Sequence, residues 1–138
     1  MEQLSRLNLM VASPPASGWG DGLARTLSPL PLDFHWPATA RQALELVVGG
    51  DMHIAVVDEQ LPDARGIEAL RRFRRLGAGL PCVLVCRQCD ARLLREALAW
   101  GAYSVVDFDR QAELLAPLVL KAVQRVYRLD WRLPKELN

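Results

Sequence analysis

Acidic side chains stand at positions in this sequence where they could do chemistry. Asp58 directly follows the apolar run from Ile54 to Val57, and Glu59 comes next. Asp107 and Asp109 follow a second apolar run. A carboxylate at the end of a buried strand can accept a transferred group, and several together can bind a cation such as Mg²⁺. Whether these acids can form one site depends on whether the fold brings them together.

Three clustered cysteines form a second group, Cys82, Cys86 and Cys89, with the spacing C-x3-C-x2-C. Radical enzymes hold iron–sulfur clusters with that spacing. Here residues 83–85 are apolar and predict a strand, which would hold the first two thiols about 13 Å apart at a rise of roughly 3.3 Å per residue. We therefore interpret Cys82 and Cys86 as buried core residues and Cys89 as a loop thiol. A redox pair of Cys86 and Cys89 is the alternative, and the odd count fits a reducing compartment.

Short apolar runs alternate along the chain with amphipathic stretches. Strands that are apolar throughout, with helices between them, predict a parallel sheet covered on both faces. Right-handed crossovers then give a doubly wound α/β sandwich. The predicted strands are Leu7–Val11, Asp33–Trp36, Ile54–Val57, Cys82–Cys86 and Val105–Val106; the predicted helices are Leu23–Leu27, Ala38–Val48, Gly66–Leu76, a helix capped by Asp90, and Ala112–Leu129 with Pro117 in or near its first turn.

The segment from His53 to Gly66 resembles the receiver domain of two-component response regulators. That family places an aspartate at the end of the third strand, a proline four residues later and a glycine four residues after that. Asp58, Pro62 and Gly66 keep this spacing. Leu80-Pro81 and Gly101-Ala102 also match, and the resemblance covers roughly residues 6–127. It implies a flavodoxin-like (βα)5 fold, five parallel strands in the order 2-1-3-4-5.

The resemblance also implies which parts of a phosphorylation site are missing. In the family an acidic pair after the first strand binds Mg²⁺, and a hydroxyl and a lysine after the fourth and fifth strands contact the phosphoryl oxygens. Here the acidic pair falls on Ala12 and Ser13, the hydroxyl position on Cys86, and the lysine position on Phe108, or on Asp107 if the alignment shifts by one residue. These degenerate positions predict a pseudo-receiver: an aspartate in the acceptor position without the machinery that activates it.

Three functions follow from this pattern. The first is a non-enzymatic pseudo-receiver in phosphorelay signalling, without a cofactor, that binds a histidine kinase or a downstream effector module. The second is a phosphorylatable receiver with an atypical Mg²⁺ site at Asp58, in which Glu59, Asp107 or Asp109 replaces the missing acids. The third is a flavodoxin-like cofactor-binding protein. Against the third, the first strand is followed by a proline-containing loop, residues 13–17, and not by a glycine-rich phosphate loop.

The fourth helix and fifth strand are the docking face in the family, so Trp100 and Val105 are the candidate interface residues for a protein partner or a second copy. Arg71, Arg72, Arg74 and Arg75 predict a solvated helix face.

Charge and length set the remaining expectations. The net charge is +1, and no apolar run is long enough to span a bilayer, so we expect neither nucleic acid nor membrane as a partner. The chain starts without the basic and apolar layout of a signal peptide, which predicts a cytoplasmic protein. We assign residues 1–129 to one receiver-like domain. Residues 130–138 are then a tail or the start of a linker, with Trp131 and Leu133 available to pack back on the domain.

Overall fold

One sheet of five parallel strands forms the centre of the computed structural model, which describes residues 5–134. The sheet order is β2-β1-β3-β4-β5, which confirms the predicted fold class and strand order. Every residue of the two central strands, the third and fourth, is buried, which explains why these segments are apolar throughout. The strands are β1 (Leu7–Ala12), β2 (Leu32–His35), β3 (Ile54–Asp58), β4 (Cys82–Cys86) and β5 (Ser104–Asp107).

Six helices connect and follow the strands, and single 3-10 turns lie at Pro15–Ser17 and Ala112–Leu114. The first helix begins four residues earlier than predicted, at Trp19. The helices are α1 (Trp19–Leu27), α2 (Ala40–Val48), α3 (Gly66–Arg75), α4 (Ala91–Ala99), α5 (Phe108–Gln111) and α6 (Leu115–Val126).

The single long helix predicted over residues 112–129 is wrong. Its place is taken by α5, a 3-10 turn and α6. Because α6 begins at Leu115, Pro117 lies in its first turn, where a missing N–H costs no helical hydrogen bond, as the sequence indicated. At the other end the helix stops at Val126, and Arg128 takes a left-handed backbone conformation with φ of 55°.

The core consists of two layers, one on each face of the sheet. The layer formed by α2, α3 and α4 centres on Phe73, and the layer formed by α1 and α6 contains Trp19 and Val119. Alternate residues of each strand point into opposite layers: Val57 of β3 belongs to the first and Val56 to the second. Helices therefore cover both faces of the sheet.

The chain after α6 packs back on the domain. Trp131 and Leu133 are partly buried against the α1–α6 layer, and the Gln124 side chain donates a hydrogen bond to the Trp131 carbonyl at 2.8 Å. The tail proposed for residues 130–138 therefore begins as part of the packed structure. Its last four residues, like residues 1–4 of the proposed domain, lie outside the described range. Within residues 5–134 no helix is both long and apolar enough to cross a bilayer.

Asp63 joins the β3–α3 loop to the start of α2. Its two carboxylate oxygens accept hydrogen bonds from the backbone N–H groups of Ala40 at 2.8 Å and Arg41 at 3.0 Å. Donation by Ala40 is the main reason that the pKa of Asp63 is lowered below its ordinary 3.8. The carboxylate thus holds the loop that follows Asp58 against a neighbouring helix.

Asp63→Ala should therefore lower stability in a pH-dependent way. A depressed pKa in the folded state means that the stabilisation is present above the unfolded pKa, near 3.8, and is lost as the pH falls through the folded value. Urea unfolding of wild type and variant at pH 7 and pH 3 should show a gap at pH 7 that narrows at pH 3. A gap of constant size would show that the lost packing, not the charge, is responsible.

Candidate functional site

The register of the sheet brings the predicted site positions to one edge. Ala12 pairs with Val57, so that Asp58 extends one residue beyond β1. On the other side Cys86 of β4 pairs with Asp107 of β5. The carboxyl ends of β1, β3, β4 and β5 therefore meet at one edge, as expected for the ligand site of a doubly wound sheet.

Asp58 lies at the bottom of this edge and is only 8% exposed. One carboxylate oxygen, Oδ2, accepts a hydrogen bond from the indole Nε1 of Trp19 at 2.8 Å. The other, Oδ1, accepts one from the backbone N–H of Gln60, also at 2.8 Å. Both oxygens of the acceptor-position carboxylate are thus engaged inside the protein. These hydrogen bonds stabilise the carboxylate and make its oxygens weaker nucleophiles, although each oxygen keeps a second lone pair.

Trp19 is the residue of this site that sequence reasoning missed. The predicted helix began at Leu23, which left Trp19 in a loop with no assigned role. In the structure Trp19 opens α1 and its ring is 2% exposed, beside the end of β3. The signal was weak, because Gly18, Gly20 and Gly22 around it are poor helix formers.

Trp19→Phe should lower the free energy of unfolding by roughly 1–3 kcal/mol, because it leaves a buried carboxylate oxygen without its donor. Trp36→Phe is the matched control: Trp36 is 48% exposed, and the same change there should cost less than about 0.5 kcal/mol. Urea unfolding followed by circular dichroism measures both. Equal effects would mean that ring volume, not the indole N–H, stabilises the site.

Glu59, a replacement acid in the atypical-site alternative, is bonded to the start of α3. It is 8% exposed, and Oε1 accepts a hydrogen bond from the backbone N–H of Ile67 at 2.9 Å. Oε2 accepts from the Arg65 guanidinium at 2.6 Å. Glu59 thereby stabilises the first turn of α3, where backbone N–H groups lack helical partners. Both of its oxygens therefore accept hydrogen bonds from α3 and the residue that precedes it, and not from groups around Asp58.

Asp107 and Asp109 also have partners of their own. The Asp107 carboxylate accepts from the Asp109 backbone N–H at 3.1 Å and caps α5. The Asp109 carboxylate forms an ion pair with Arg87 at 2.7 Å. The Arg87 guanidinium also donates to the Ser17 carbonyl at 3.0 Å and lies 4.9 Å from the centroid of the Phe108 ring. Arg87, which follows β4, thus connects α5 with the loop after β1.

The residues present do not fit the Mg²⁺ site of a receiver. Ala12 has no ligand atom, and the Ser13 hydroxyl is bonded to the Ser17 hydroxyl at 3.0 Å. Asp58 has both oxygens engaged. Within residues 5–134 no group of three or more His, Cys, Asp or Glu side chains is arranged to hold a metal ion. Mg²⁺ usually needs several oxygen ligands in octahedral geometry, and these side chains do not supply them.

A cavity of about 300 Å³ lies directly above Asp58. Its lining combines one buried acid with one cation, the Arg87 guanidinium; the other lining residues are Pro14, Ala16, Ser17 and Gln60. The loop that forms one wall is a 3-10 turn in which the serine hydroxyls bond to each other and to the Pro14 carbonyl. The hydroxyls of Ser13 and Ser17 are therefore bonded within this loop.

The degenerate positions at the ends of β4 and β5 are occupied by Cys86 and Phe108. Cys86 is buried and joined to Cys89 by a disulfide, which corrects the interpretation of Cys89 as a loop thiol. Cys82 is fully buried, as predicted, and burial raises the pKa of its thiol to about 12. Phe108 lies under Arg87, where a lysine would stand in the resembling family.

The proposed interface residues fall in two different places. Val105 is half-buried in a groove of about 210 Å³ between α4 and α5. Trp100 lies against α3 instead, with the Arg75 guanidinium carbon 5.7 Å from its ring centroid. The exposed apolar side chains of α4 are Leu94 and Leu98, at 42% and 51% exposure. Leu94 borders the Val105 groove, which Trp100 does not line.

The arginine cluster of α3 is not a uniform solvated face. Arg71 pairs with Glu96 of α4 at 3.6 Å. Arg75 lies over Trp100, and the Arg74 guanidinium donates four hydrogen bonds to backbone carbonyls. Of the four arginines, Arg72 best matches the sequence interpretation.

Comparison with known proteins places this geometry in context. No protein-family model and no curated protein sequence matches the chain. Solved structures do match. The receiver domain of a Francisella response regulator has a TM-score of 0.77 at 17% identity, covering 87% of this chain and 98% of that one. The receiver domain of an HD domain-containing protein from Pseudomonas fluorescens has a TM-score of 0.77 at 22% identity, covering 93% and 94%.

A third match is a CheY-like receiver domain protein from Methanospirillum hungatei, with a TM-score of 0.75 at 19% identity, covering 91% of this chain and all of that one. These identities are low, and the likeness therefore concerns the fold. The chain has the fold of the response-regulator receiver domains, over nearly the full length of each.

Proposed function

We propose that this chain is a pseudo-receiver of two-component signalling, which acts by binding a protein partner and not by switching through a phosphoryl group. The observation that carries the proposal is the state of Asp58: buried, with each carboxylate oxygen held by a donor of the protein. A phosphorylatable receiver needs one of these two oxygens as its nucleophile.

The charges around Asp58 support the same conclusion. Phosphoryl transfer depends on cations that offset the charge developing on the transferring group. Arg87 is the cation that lines the cavity, and its guanidinium is bound to Asp109 and to the Ser17 carbonyl. Loss of one such electrostatic partner commonly costs about 100- to 1000-fold in rate. Here two are lost: Ala12 and Ser13 stand where the family has its Mg²⁺-binding acids, and Phe108 stands where it has its lysine.

We place the binding surface on the groove between α4 and α5, bordered by Leu94 and Val105. The partner is a histidine kinase, a downstream effector module or a second copy of the chain, in the cytoplasm. Leu94→Glu should abolish recovery of a kinase or effector from the native host. Val48→Glu, at the exposed end of α2, is the control and should not affect it. Loss with both variants would exclude this face as the specific surface.

One observation favours a phosphorylatable receiver as the second candidate. The cavity of about 300 Å³ above Asp58 gives room for a phosphoryl group, and Arg87 brings a positive charge to its wall. In this alternative the attacking oxygen of Asp58 would use the lone pair that its hydrogen bond to Trp19 or Gln60 leaves free.

Incubation with Mg²⁺ and acetyl phosphate, followed by intact-mass spectrometry, decides between the two candidates. A pseudo-receiver should gain no phosphoryl group under conditions that fully label an active receiver. Asp58→Asn is the matched control, because it keeps the size of the side chain and removes the nucleophile. A phosphoryl adduct on the wild type that is absent from Asp58→Asn would overturn the proposal.

A further inference from the structure

The Cys86–Cys89 pair lies at the end of β4, and Cys89 lines the α4–α5 groove, but the proposed function gives the pair no chemistry. The two Cα atoms are 5.7 Å apart, within the range that a disulfide requires. Cys86 ends β4, and Cys89 immediately precedes Asp90, whose side chain caps α4. Both sulfur atoms rest on β5, at 3.7 Å and 4.0 Å from the Val106 carbonyl oxygen. The bond therefore joins the end of a strand to the start of a helix across two intervening residues.

We propose that Cys86 and Cys89 form a reversible dithiol–disulfide site that exchanges with an external disulfide, either a small-molecule disulfide or a disulfide-bearing protein. In the forward direction the Cys89 thiolate attacks the external disulfide and releases one thiol. Cys86 then attacks the mixed disulfide, forms the internal bond and releases the second thiol. Two protein thiols are oxidised, one external disulfide is reduced to two thiols, and the two protons leave with these products.

Access distinguishes the two sulfurs. Cys86 is 4% exposed, whereas Cys89 is half-buried and lines the open groove of about 210 Å³ between α4 and α5. An exchange reaction requires the external sulfur to reach its target, so Cys89 is the entry point and Cys86 the resolving residue. The third cysteine, Cys82, stays outside the reaction, because it is fully buried and its raised pKa keeps it as a neutral thiol.

The bond also constrains the loop that it closes. Gln88, inside the ring, has a φ of 53°, a left-handed conformation that residues other than glycine adopt at a cost. Its neighbour Arg87 bridges Asp109 and the Ser17 carbonyl. Opening the disulfide removes the constraint on this loop, so reduction should loosen both the Arg87 bridge and the first turn of α4. The oxidised and reduced forms would then present different α4–α5 grooves.

Equilibration of the full chain in glutathione buffers, followed by unfolding and alkylation, tests the chemistry. The chain has three cysteines. The reduced protein should take up three labels, and the oxidised protein one, on Cys82. Three labels in excess glutathione disulfide, or a disulfide between two molecules, would overturn the proposal. Cys82→Ala should lose one label in each state and still oxidise. None of these readouts depends on whether Asp58 is phosphorylated or a partner binds.

Single-cysteine variants test the assigned roles. In Cys86→Ser, Cys89 should attack glutathione disulfide, form the mixed disulfide and release one glutathione at least about tenfold faster than Cys86 does in Cys89→Ser, since access controls the rate. Equal or reversed rates would reject Cys89 as the entry point. Amide hydrogen exchange of the wild type tests the conformational part: residues 86–93 should exchange faster after reduction, while β1 should not change. Identical exchange in both forms would contradict the conformational part of the proposal, because reduction would then have no structural effect on residues 86–93.

Discussion

Gly66→Ala should destabilise the protein by at least about 3 kcal/mol, at the upper end of the usual cost of overpacking. A Cβ at this position would lie 2.5 Å from the Asp58 carbonyl oxygen and 2.9 Å from the Glu59 Cα. Both are backbone atoms at the end of β3, so neither can rotate away. The Gly66 N–H also donates to the Glu59 carbonyl at 2.9 Å, which fixes the distance between α3 and the strand.

The effect of Gly66→Ala should extend to the site. Separating α3 from β3 stretches the contacts that Glu59 makes with Arg65 and with the Ile67 N–H. Since typical domains are stable by only about 5–15 kcal/mol, urea unfolding should show a large shift of the midpoint. The glycine four residues after the proline in the receiver pattern is thus explained here by close packing.

Gly22→Ala is the control for this prediction. A Cβ on Gly22, within α1, meets no heavy atom within 4 Å, and alanine is favoured over glycine inside a helix by about 0.5–1 kcal/mol. This variant should therefore be slightly more stable than the wild type. If both alanine variants shifted the midpoint by similar amounts in the same direction, the close contact at Gly66 would not be the cause.

The sequence was most informative where burial is complete. β3 and β4 are buried at every residue, and the sequence shows this as unbroken apolar runs at residues 54–57 and 82–86. Asp90 was predicted to cap the fourth helix, and its Oδ1 accepts from the Leu93 N–H at 2.7 Å. A capping residue acts within one helical turn, so its spacing can be recognised without knowledge of the fold.

The contacts that define the site could not be predicted in this way, because they join distant segments. Trp19 and Asp58 are separated by 39 positions, and their contact depends on α1 beginning four residues earlier than its apolar pattern indicated. An acid in a loop is by default a solvated residue. Only the packing of α3 against β3 shows that Glu59 is buried and paired with Arg65.

Arg74→Ala should lower the free energy of unfolding by about 3 kcal/mol. The guanidinium donates to the carbonyls of Ala78, Leu80, Trp100 and Gly101 at 2.7–3.0 Å, tying α3 to the loops that precede β4 and β5. A hydrogen bond to a charged group contributes about 1.5–3 kcal/mol. The loss of stability in Arg74→Ala should be well below the summed contributions of the four hydrogen bonds. The site is only half-buried, so water can replace part of what is lost.

The geometry of the Arg74 contacts, and not only the charge, determines the expected effect. Lysine carries one compact ammonium group and cannot present the planar fork that reaches two loops at once, so Arg74→Lys should recover less than half of the loss. Arg72→Ala, at an exposed position of the same helix, should change stability by less than about 0.5 kcal/mol. Urea midpoints of the three variants measure these differences. Full recovery by lysine would show that positive charge near the end of α3, acting on the helix dipole, is sufficient without the bridging bonds.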